Sequence, residues 1–318
     1  MHSLLFLVRC ICLILKKLLF HSIYKMNFMK INVWVLTVVM LFLFLPGANS
    51  QQTVTGFEAP ESVIRSGDKL FVSNIGGATA DPMATDSNGF ISELSKDGKI
   101  VQRKFQKGVL NAPKGMAIVK EVLYVADINR VVGFNIHSGD QVFVIDIPAK
   151  MLNDLCKVDD RHLCVSETVS GRVMLIDLQD KSVRFLGSIE GANGVTYDEK
   201  TGIVYAVGMG VNMTGGKMYM KDLKNTDTVF TMLQDSPTGI FDGLEMFDRH
   251  HLIASDWISF TSKNGRLLVY DLENHSTAAF TIEAGPADIT YDPESHTVYI
   301  PQMMQNSLLI QNMKNLRE

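Results

Sequence analysis

Six short extended segments of the chain begin in a similar way, and five of them open on a polar residue. The six openings are Glu61-Ser62-Val63, Lys114-Gly115-Met116, Asn153-Asp154-Leu155, Asn193-Gly194-Val195, Asp242-Gly243-Leu244 and Ala287-Asp288-Ile289. If equivalent positions converge in the fold, carboxylate and amide oxygens meet at one point. Such oxygens are the ligands that calcium and magnesium prefer, whereas zinc prefers nitrogen and sulfur. The openings therefore predict a divalent-cation site, with calcium expected first and magnesium or zinc as alternatives. Its candidate ligands are Glu61, Asn153, Asn193 and Asp242.

Lys114 divides two hypotheses about this site. With a divalent cation bound, Glu61 and Asp242 balance the charge of the metal, and Lys114 adds a positive charge that suits an oxyanion or an acidic substrate. This arrangement suits a catalytic site in which Lys114 faces the oxyanion; the family resemblance described below implies hydrolysis there, with Asp242 as the other catalytic residue. Without a cation, the ammonium group of Lys114 replaces the metal by pairing with the two carboxylates. That arrangement predicts a non-catalytic protein that binds a small ligand or a protein partner.

The spacing of the openings indicates the fold that brings them together. Successive openings lie 53, 39, 40, 49 and 45 residues apart, which is the period of a propeller blade rather than of a helical repeat. Each opening is followed by short runs rich in β-branched and aromatic residues, such as Leu123 to Asp127, and these runs are bounded by turn residues. No amphipathic helical pattern of any length follows residue 50. The sequence thus predicts an all-β, six-bladed β-propeller over residues 51–318.

The sixth repeat ends near Met313 without a fourth strand. The segment from Gln52 to Gly56 precedes the first repeat and can supply that strand. Such closure joins the first and last blades and removes the sheet edges that would otherwise invite aggregation. Because the first strand of each propeller blade lines the central channel, we expect the opening residues around its mouth.

The first 50 residues differ in kind from the rest of the chain. Apart from a few basic side chains, residues 1–45 are almost all apolar. The pattern matches a secretory signal peptide that is cleaved after Ser50. It has a basic start at Met29-Lys30, an apolar centre from Val33 to Leu45 and small residues before the cleavage site. We expect Met29 to be the true first residue; the alternative is a membrane anchor that includes Leu4 to Phe20. Both interpretations predict a folded part outside the cytoplasm, secreted or periplasmic, and the first leaves no stable membrane span in the mature chain.

Composition narrows the classes of partner. The chain carries a formal net charge of -4, with 20% charged residues, so it lacks the basic surface that nucleic-acid binding requires. We therefore expect no nucleic-acid partner, while the candidate site at the openings predicts a small-molecule substrate.

Two cysteines, Cys156 and Cys164, fall beyond the leader. A turn at residues 159–161 would place them opposite each other on one hairpin. This leaves open a cross-strand disulfide or two free thiols.

A family resemblance follows from three of the openings. Asn153-Asp154-Leu155, Ala192-Asn193-Gly194-Val195 and Asp242-Gly243-Leu244, with a glutamate near a proline upstream, resemble the senescence marker protein/gluconolactonase/regucalcin family and, more distantly, the paraoxonases. The resemblance extends from Gln51 to the end of the chain. It implies a divalent metal held by Glu, Asn and Asp side chains, and hydrolysis of a lactone or related ester with the Asp as general base. Carried over by position, it assigns metal binding to Glu61, Asn153, Asn193 and Asp242.

The sequence departs from the family pattern in three places. Glu58-Ala59-Pro60 also resembles the glutamate motif of the family, but the register of the repeat selects Glu61. Met151 stands where lactonases of sugar acids often carry a substrate-binding arginine, which puts recognition of a sugar carboxylate in doubt. Lys114 lies within the ring of openings itself.

Overall fold

The protein is a six-bladed β-propeller, as the repeat predicts. The computed structural model describes residues 51–77, 80–225 and 227–314, so the predicted leader (residues 1–50) lies outside the described residues. Within this part, six four-stranded antiparallel sheets form the blades, and the first strands of successive blades contact each other in a closed ring. No helix in these ranges is long and apolar enough to cross a bilayer.

The strands are numbered in chain order, and each blade is given from the channel outward. Blade 1 has β2 (Pro60–Ser66), β3 (Lys69–Asn74), β4 (Phe90–Ser95) and β5 (Ile100–Gln102), and blade 2 has β6 (Pro113–Val119), β7 (Val122–Asp127), β8 (Arg130–Asn135) and β9 (Gln141–Asp146). Blade 3 has β10 (Leu152–Lys157), β11 (His162–Glu167), β12 (Arg172–Asp177) and β13 (Ser182–Ser188). Blade 4 has β14 (Ala192–Asp198), β15 (Ile203–Gly208), β18 (Met218–Asp222) and β19 (Thr231–Met232), with an extra hairpin of β16 (Gly210–Val211) and β17 (Thr214–Gly215). Blade 5 has β20 (Phe241–Met246), β21 (His251–Asp256), β22 (Asn264–Asp271) and β23 (Thr277–Glu283). Blade 6 has β24 (Thr290–Asp292), β25 (Thr297–Gln302), β26 (Ser307–Asn312) and, outermost, β1 (Gln51–Thr55).

The start of the domain closes the last blade, which confirms the prediction from the missing strand. Strand β1 pairs antiparallel with β26, with Gln51 opposite Gln311 and Thr55 opposite Ser307. At the channel, the Ser62 hydroxyl donates a hydrogen bond of 2.6 Å to Asp288 Oδ2. Blades 6 and 1 are therefore held together both at the outer edge and at the axis.

The hydrophobic core lies between neighbouring blades. Alternate residues of the strands point into these layers; for example, Phe71 and Ile91 of blade 1 pack against Leu123 and Phe134 of blade 2. These four side chains are fully buried. Because burying one such side chain stabilises a protein by about 1.5–3 kcal/mol, the layers hold the first strands in fixed positions around the channel.

A β-bulge marks the opening of the first strand in blades 1 to 5. The pairing register shifts between Pro60 and Ser62, and at the equivalent places in β6, β10, β14 and β20. A bulge bends its strand and redirects a side chain, and bulges are common beside active sites. The residues at these bulges, called the ring residues below, are Glu61, Lys114, Asn153, Asn193 and Asp242.

The glycines after three ring residues are explained by close approach of the next blade. A Cβ atom added to Gly115 would lie 2.4 Å from Asp154 Oδ1, and one added to Gly194 would lie 2.4 Å from the Asp242 carbonyl oxygen. At Gly243 the corresponding distance, to the Ile289 nitrogen, is also 2.4 Å. These distances are too short for a side chain, so the repeat uses glycine there.

Candidate functional site

The ring residues meet at the mouth of the channel and are buried there. Their relative exposure is 3% for Glu61, 1% for Lys114, 5% for Asn153, 1% for Asn193 and 4% for Asp242. Buried polar groups normally have hydrogen-bond partners, because an unpaired one costs about 1–3 kcal/mol. The contacts of these side chains therefore indicate what the ring is built to bind.

Four ring side chains each carry a buried oxygen atom that lacks a hydrogen-bond partner. The four atoms are Glu61 Oε2, Asn153 Oδ1, Asn193 Oδ1 and Asp242 Oδ1. The only other such side-chain atoms in the described part are Asn193 Nδ2 and Gln302 Nε2. The oxygens belong to the four residues that the sequence nominates as metal ligands. A hard divalent cation would satisfy all four, so the residues fit the metal that the family resemblance implies.

Neighbouring side chains orient two of these ligands. The indole N–H of Trp257 donates a hydrogen bond of 2.6 Å to Asp242 Oδ2, which leaves Oδ1 unpaired. The amide nitrogen of Asn153 donates to Thr168 Oγ1 at 2.9 Å, and the Thr168 hydroxyl donates to the Ala192 carbonyl oxygen at 2.7 Å. These bonds fix which side-chain atom of each ligand stays unpaired, as outer-shell partners do in metal sites.

Burial raises the pKa of both ring carboxyl groups. It raises the pKa of Glu61 well above the usual value, and the charge of Asp242 adds to this rise while Lys114 opposes it. Burial also raises the pKa of Asp242 to about 6, against the effects of Trp257, the Asn193 amide and Lys114. Although Asn193 lies near enough to influence Asp242, neither of its polar atoms forms a hydrogen bond of normal geometry. An additional positive charge at the ring would lower both pKa values and favour the ionised carboxylates.

Lys114 bonds to backbone carbonyls and not to the ring carboxylates. Its Nζ atom donates to the Pro82 carbonyl oxygen at 2.6 Å and to the Ala112 carbonyl oxygen at 2.9 Å. No ion pair within 4.0 Å joins it to Glu61, Asp242 or any other acid in the described ranges. Burial lowers the pKa of Lys114, while the charge of Glu61 opposes this effect. Lys114 thus anchors the loop of blade 1 beside the mouth and acts on the ring through its charge.

The two candidate glutamates occupy different environments. Glu61 lies buried at the bulge, whereas the side chain of Glu58 is 49% exposed and pairs with Arg103 at 2.6 Å. Glu58 lies outside the ring, in agreement with the register argument.

The acidic residues that end several second strands support the loops instead of the ring. Asp127 Oδ1 accepts hydrogen bonds of 2.9 Å from the backbone N–H groups of Asn111 and Ala112, and Oδ2 pairs with Arg130. Blades 3 and 5 repeat this arrangement with Glu167 and Arg172 and with Asp256 and Arg266. In each of these blades, a carboxylate ends the second strand and an arginine follows on the third strand. This pair is a second repeated pattern in the sequence, in addition to the openings.

A second group of acids lines the channel below the ring. Asp154, Glu245 and Asp288 border a cavity of about 300 Å³. Both oxygens of Asp154 accept backbone hydrogen bonds, from Leu155 at 2.6 Å and Val195 at 2.7 Å. Burial raises the pKa of Asp154 and Asp288 well above the usual value and that of Glu245 to about 7. These acids differ from the ring because their oxygens are hydrogen-bonded.

The two cysteines face each other as the hairpin predicts. Cys156 lies directly opposite Cys164 in the β10–β11 pair, and both are free thiols. A hydrogen bond with Cys164, together with burial, raises the pKa of Cys156 well above its usual value. Neither thiol belongs to the ring.

The ring residues include no histidine or cysteine, which are the usual ligands of zinc and related transition metals. In the described ranges, no group of three or more His, Cys, Asp or Glu side chains is placed to hold a metal ion. The ring combines two carboxylates with two amide oxygens, which suits calcium or magnesium better than zinc.

Comparison with known proteins shows the fold and no family. No protein-family model matches the sequence, and no curated protein matches it. Three solved structures are similar: hydrazine synthase of Kuenenia stuttgartiensis (TM-score 0.58, 13% identity, 83% of this chain and 80% of that chain), a nidogen/laminin complex (0.56, 13%, 82% and 89%) and the Cps50 (Swd1) β-propeller domain of Myceliophteria thermophila (0.56, 10%, 82% and 99%). At such low identity the likeness establishes a β-propeller and nothing about chemistry.

Proposed function

We propose that this protein is a metal-dependent hydrolase that opens a lactone or related ester at the central mouth of the propeller. The observation that carries the proposal is the set of four unpaired, buried oxygens on Glu61, Asn153, Asn193 and Asp242. These residues would hold one divalent cation, calcium being the best fit to oxygen ligands of this kind. The resemblance of the openings to the gluconolactonase family supports the same assignment.

Each ring residue has a separate role in the proposed ester hydrolysis. When bound, a divalent cation polarises a carbonyl group and lowers the pKa of water. Asp242 orients or deprotonates the attacking water, because its carboxylate lies beside the position of the cation and is held there by a neighbouring side chain. Trp257 keeps the Asp242 carboxylate in place through Oδ2. Lys114 supplies positive charge near Glu61 for the oxyanion that develops in the reaction.

The alternative function, a binding propeller without a metal, requires Lys114 to pair with the ring carboxylates. Its ammonium group bonds to the carbonyl oxygens of Pro82 and Ala112. The hydrolase therefore accounts better for the unpaired oxygens. Export to the periplasm or the cell exterior, proposed from the leader, belongs to the same proposal.

Removing the metal provides the direct test of this function. We expect the purified protein to hydrolyse simple γ-lactones in the presence of calcium and to lose this activity on treatment with a chelator. Added calcium should restore the rate, because the ring remains folded between its blades. If hydrolysis persists at the full rate after chelation, the proposed function is wrong.

Replacing Trp257 with phenylalanine should weaken calcium binding without removing a ligand. The variant loses a hydrogen bond that lowers the pKa of Asp242, so protons compete more strongly with the cation. Loss of such an outer-shell partner typically costs about 10–100-fold in metal affinity. Calcium titrations at several pH values should show the largest loss of affinity near pH 6 and partial recovery at higher pH.

Phe260→Leu is the matched control, since Phe260 packs against Trp257 at 5.2 Å between ring centroids and does not bond to Asp242. Equal losses in both variants would mean that packing, and not the hydrogen bond, matters.

A further inference from the structure

A groove borders the ring between blades 3 and 4, on the face of the propeller that carries the mouth. Its volume is about 490 Å³, which lies within the range of small-molecule binding sites. One wall is the segment from Thr168 to Gly171, which joins the second and third strands of blade 3. The opposite wall is the β16–β17 hairpin of blade 4.

The groove presents apolar side chains and no cationic side chain. Val169, Val211 and Met213 line it with relative exposures of 47%, 53% and 47%, and the buried Met151 lies in its lining as well. No lysine, arginine or histidine is among its lining residues, and Glu190 is the only acidic one. An anionic group would find no cationic partner there, whereas a hydrocarbon chain would remove the three exposed apolar side chains from water.

The groove lies beside the candidate metal site. Thr168 is part of its lining, and the Thr168 hydroxyl oxygen accepts the hydrogen bond from the Asn153 amide. One residue therefore separates the groove from a ring ligand. A substrate whose carbonyl group lies at the ring can extend a substituent past Thr168 into the groove.

The hairpin that forms the outer wall keeps an unfavourable backbone conformation. Asn212 and Met213 at its tip have φ values of 50° and 56°. Asparagine tolerates this left-handed region, but glycine usually occupies the second position of such a turn. Residues held in this way cluster at ligand sites. Met213 at this strained position places a long apolar side chain over the groove. A glycine at the same position would place no side chain there.

From these features we infer that the groove binds the apolar arm of the substrate, so that the preferred substrate is a neutral lactone or ester with an unbranched alkyl chain. This inference rests on the proposed function for the position of the carbonyl group at the ring. Met151 agrees with it, because a methionine at that place cannot pair with a sugar carboxylate. The four residues that determine specificity are Met151, Val169, Val211 and Met213.

Two measurements on one set of variants test this inference. The first is kcat/KM for γ-lactones whose alkyl substituent grows from methyl to hexyl, which should rise about threefold to fourfold for each added methylene group. Met213→Asp should flatten this series by lowering the rates on the longer lactones most, whereas Met304→Ser should leave the series unchanged. Met304 is the control because it is 63% exposed and is absent from the groove lining. The second is calorimetric binding of 2-hexylcyclopentanone, an analogue without an ester bond, which should be at least tenfold weaker in Met213→Asp than in Met304→Ser.

The outcomes separate the groove from the catalytic proposal. Hydrolysis that does not depend on chain length, with no binding of the ketone, would overturn the groove and leave the hydrolase intact. Ketone binding that Met213→Asp abolishes, without hydrolysis of any lactone, would support the groove and refute the hydrolase. Loss of both the chain-length dependence and the activity on the methyl lactone in Met213→Asp would show that the hairpin supports the ring itself, against the inference.

Discussion

Asp242→Asn is expected to abolish calcium binding at the ring and to lower kcat/KM for lactone opening by at least about a thousandfold. Asp242 is one of only two carboxylates among the four candidate ligands, so its loss halves the negative charge available to the cation. The same substitution removes the group proposed to accept a proton, and general-base catalysis alone contributes about 10²–10⁴-fold. Asparagine has nearly the same shape and can still accept the hydrogen bond from Trp257, so the propeller should stay folded. Initial rates and calcium titrations on the folded variant provide the measurement.

Glu58→Gln is the matched control for this prediction. Glu58 is the other glutamate that the family motif suggests, and it lies half exposed beside Arg103. Its substitution should leave both calcium binding and kcat/KM within about twofold of the unmodified protein, because exposed ion pairs contribute little. An Asp242→Asn protein that retains hydrolysis would remove Asp242 from the mechanism, and a large effect of Glu58→Gln would favour Glu58 over Glu61.

Glu245→Gln should stabilise the protein above neutral pH and leave it unchanged in acid. Burial in the channel raises the pKa of Glu245 from 4.5 to about 7. A carboxyl whose pKa is raised by folding favours the folded state while it is protonated, and this contribution disappears as the pH rises through the raised pKa. The change from 4.5 to about 7 corresponds to roughly 3 kcal/mol. Because Glu245 borders a cavity and is only partly buried, we expect about 2 kcal/mol, or about 5 °C in Tm.

Thermal unfolding of both proteins across the pH range measures this effect. The Tm difference should be near zero around pH 4, below the unfolded pKa, and should grow in favour of Glu245→Gln between about pH 5 and 8. Glutamine preserves the acceptor for the Thr290 hydroxyl, which lies 3.1 Å from Glu245 Oε1. Glu199→Gln, at an exposed position, is the control and should follow the unmodified protein at every pH. A constant Tm difference at all pH values would mean that the charge of Glu245 is not destabilising.

The propeller could be predicted from the sequence because each blade repeats its own signals. The spacing of the openings gave the number of blades, and the absence of a strand after Met313 predicted that the start of the domain completes blade 6. The short fourth strand of blade 4 and its additional hairpin could not be predicted in this way. Strands of two residues, such as Gly210–Val211, contain too few alternating positions to form a pattern.

The residues that form the ring could be predicted from the sequence, but the hydrogen bonds of their side chains could not. The repeat places Lys114 in the ring, yet its partner Pro82 lies in a loop of blade 1, 32 residues earlier in the chain. The bond from Trp257 to Asp242 depends on a loop conformation that no local pattern encodes. Thr168 carried no signal at all, because a threonine after a strand is common in any turn.

Calorimetric titration of the calcium-stripped protein near pH 7.5 tests the central claim most directly. We predict one calcium ion per chain, with a Kd on the order of 10⁻⁴ M, in the range of oxygen-rich extracellular sites with few carboxylates. Binding should weaken as the pH falls, because burial raises the pKa of Glu61 and protons then compete with the cation for its carboxylate. Asn193→Ala should weaken the same binding, since it removes one of the four unpaired oxygens. A protein that binds neither calcium nor magnesium nor zinc at concentrations up to about 10 mM, far above the expected Kd, would contradict the account.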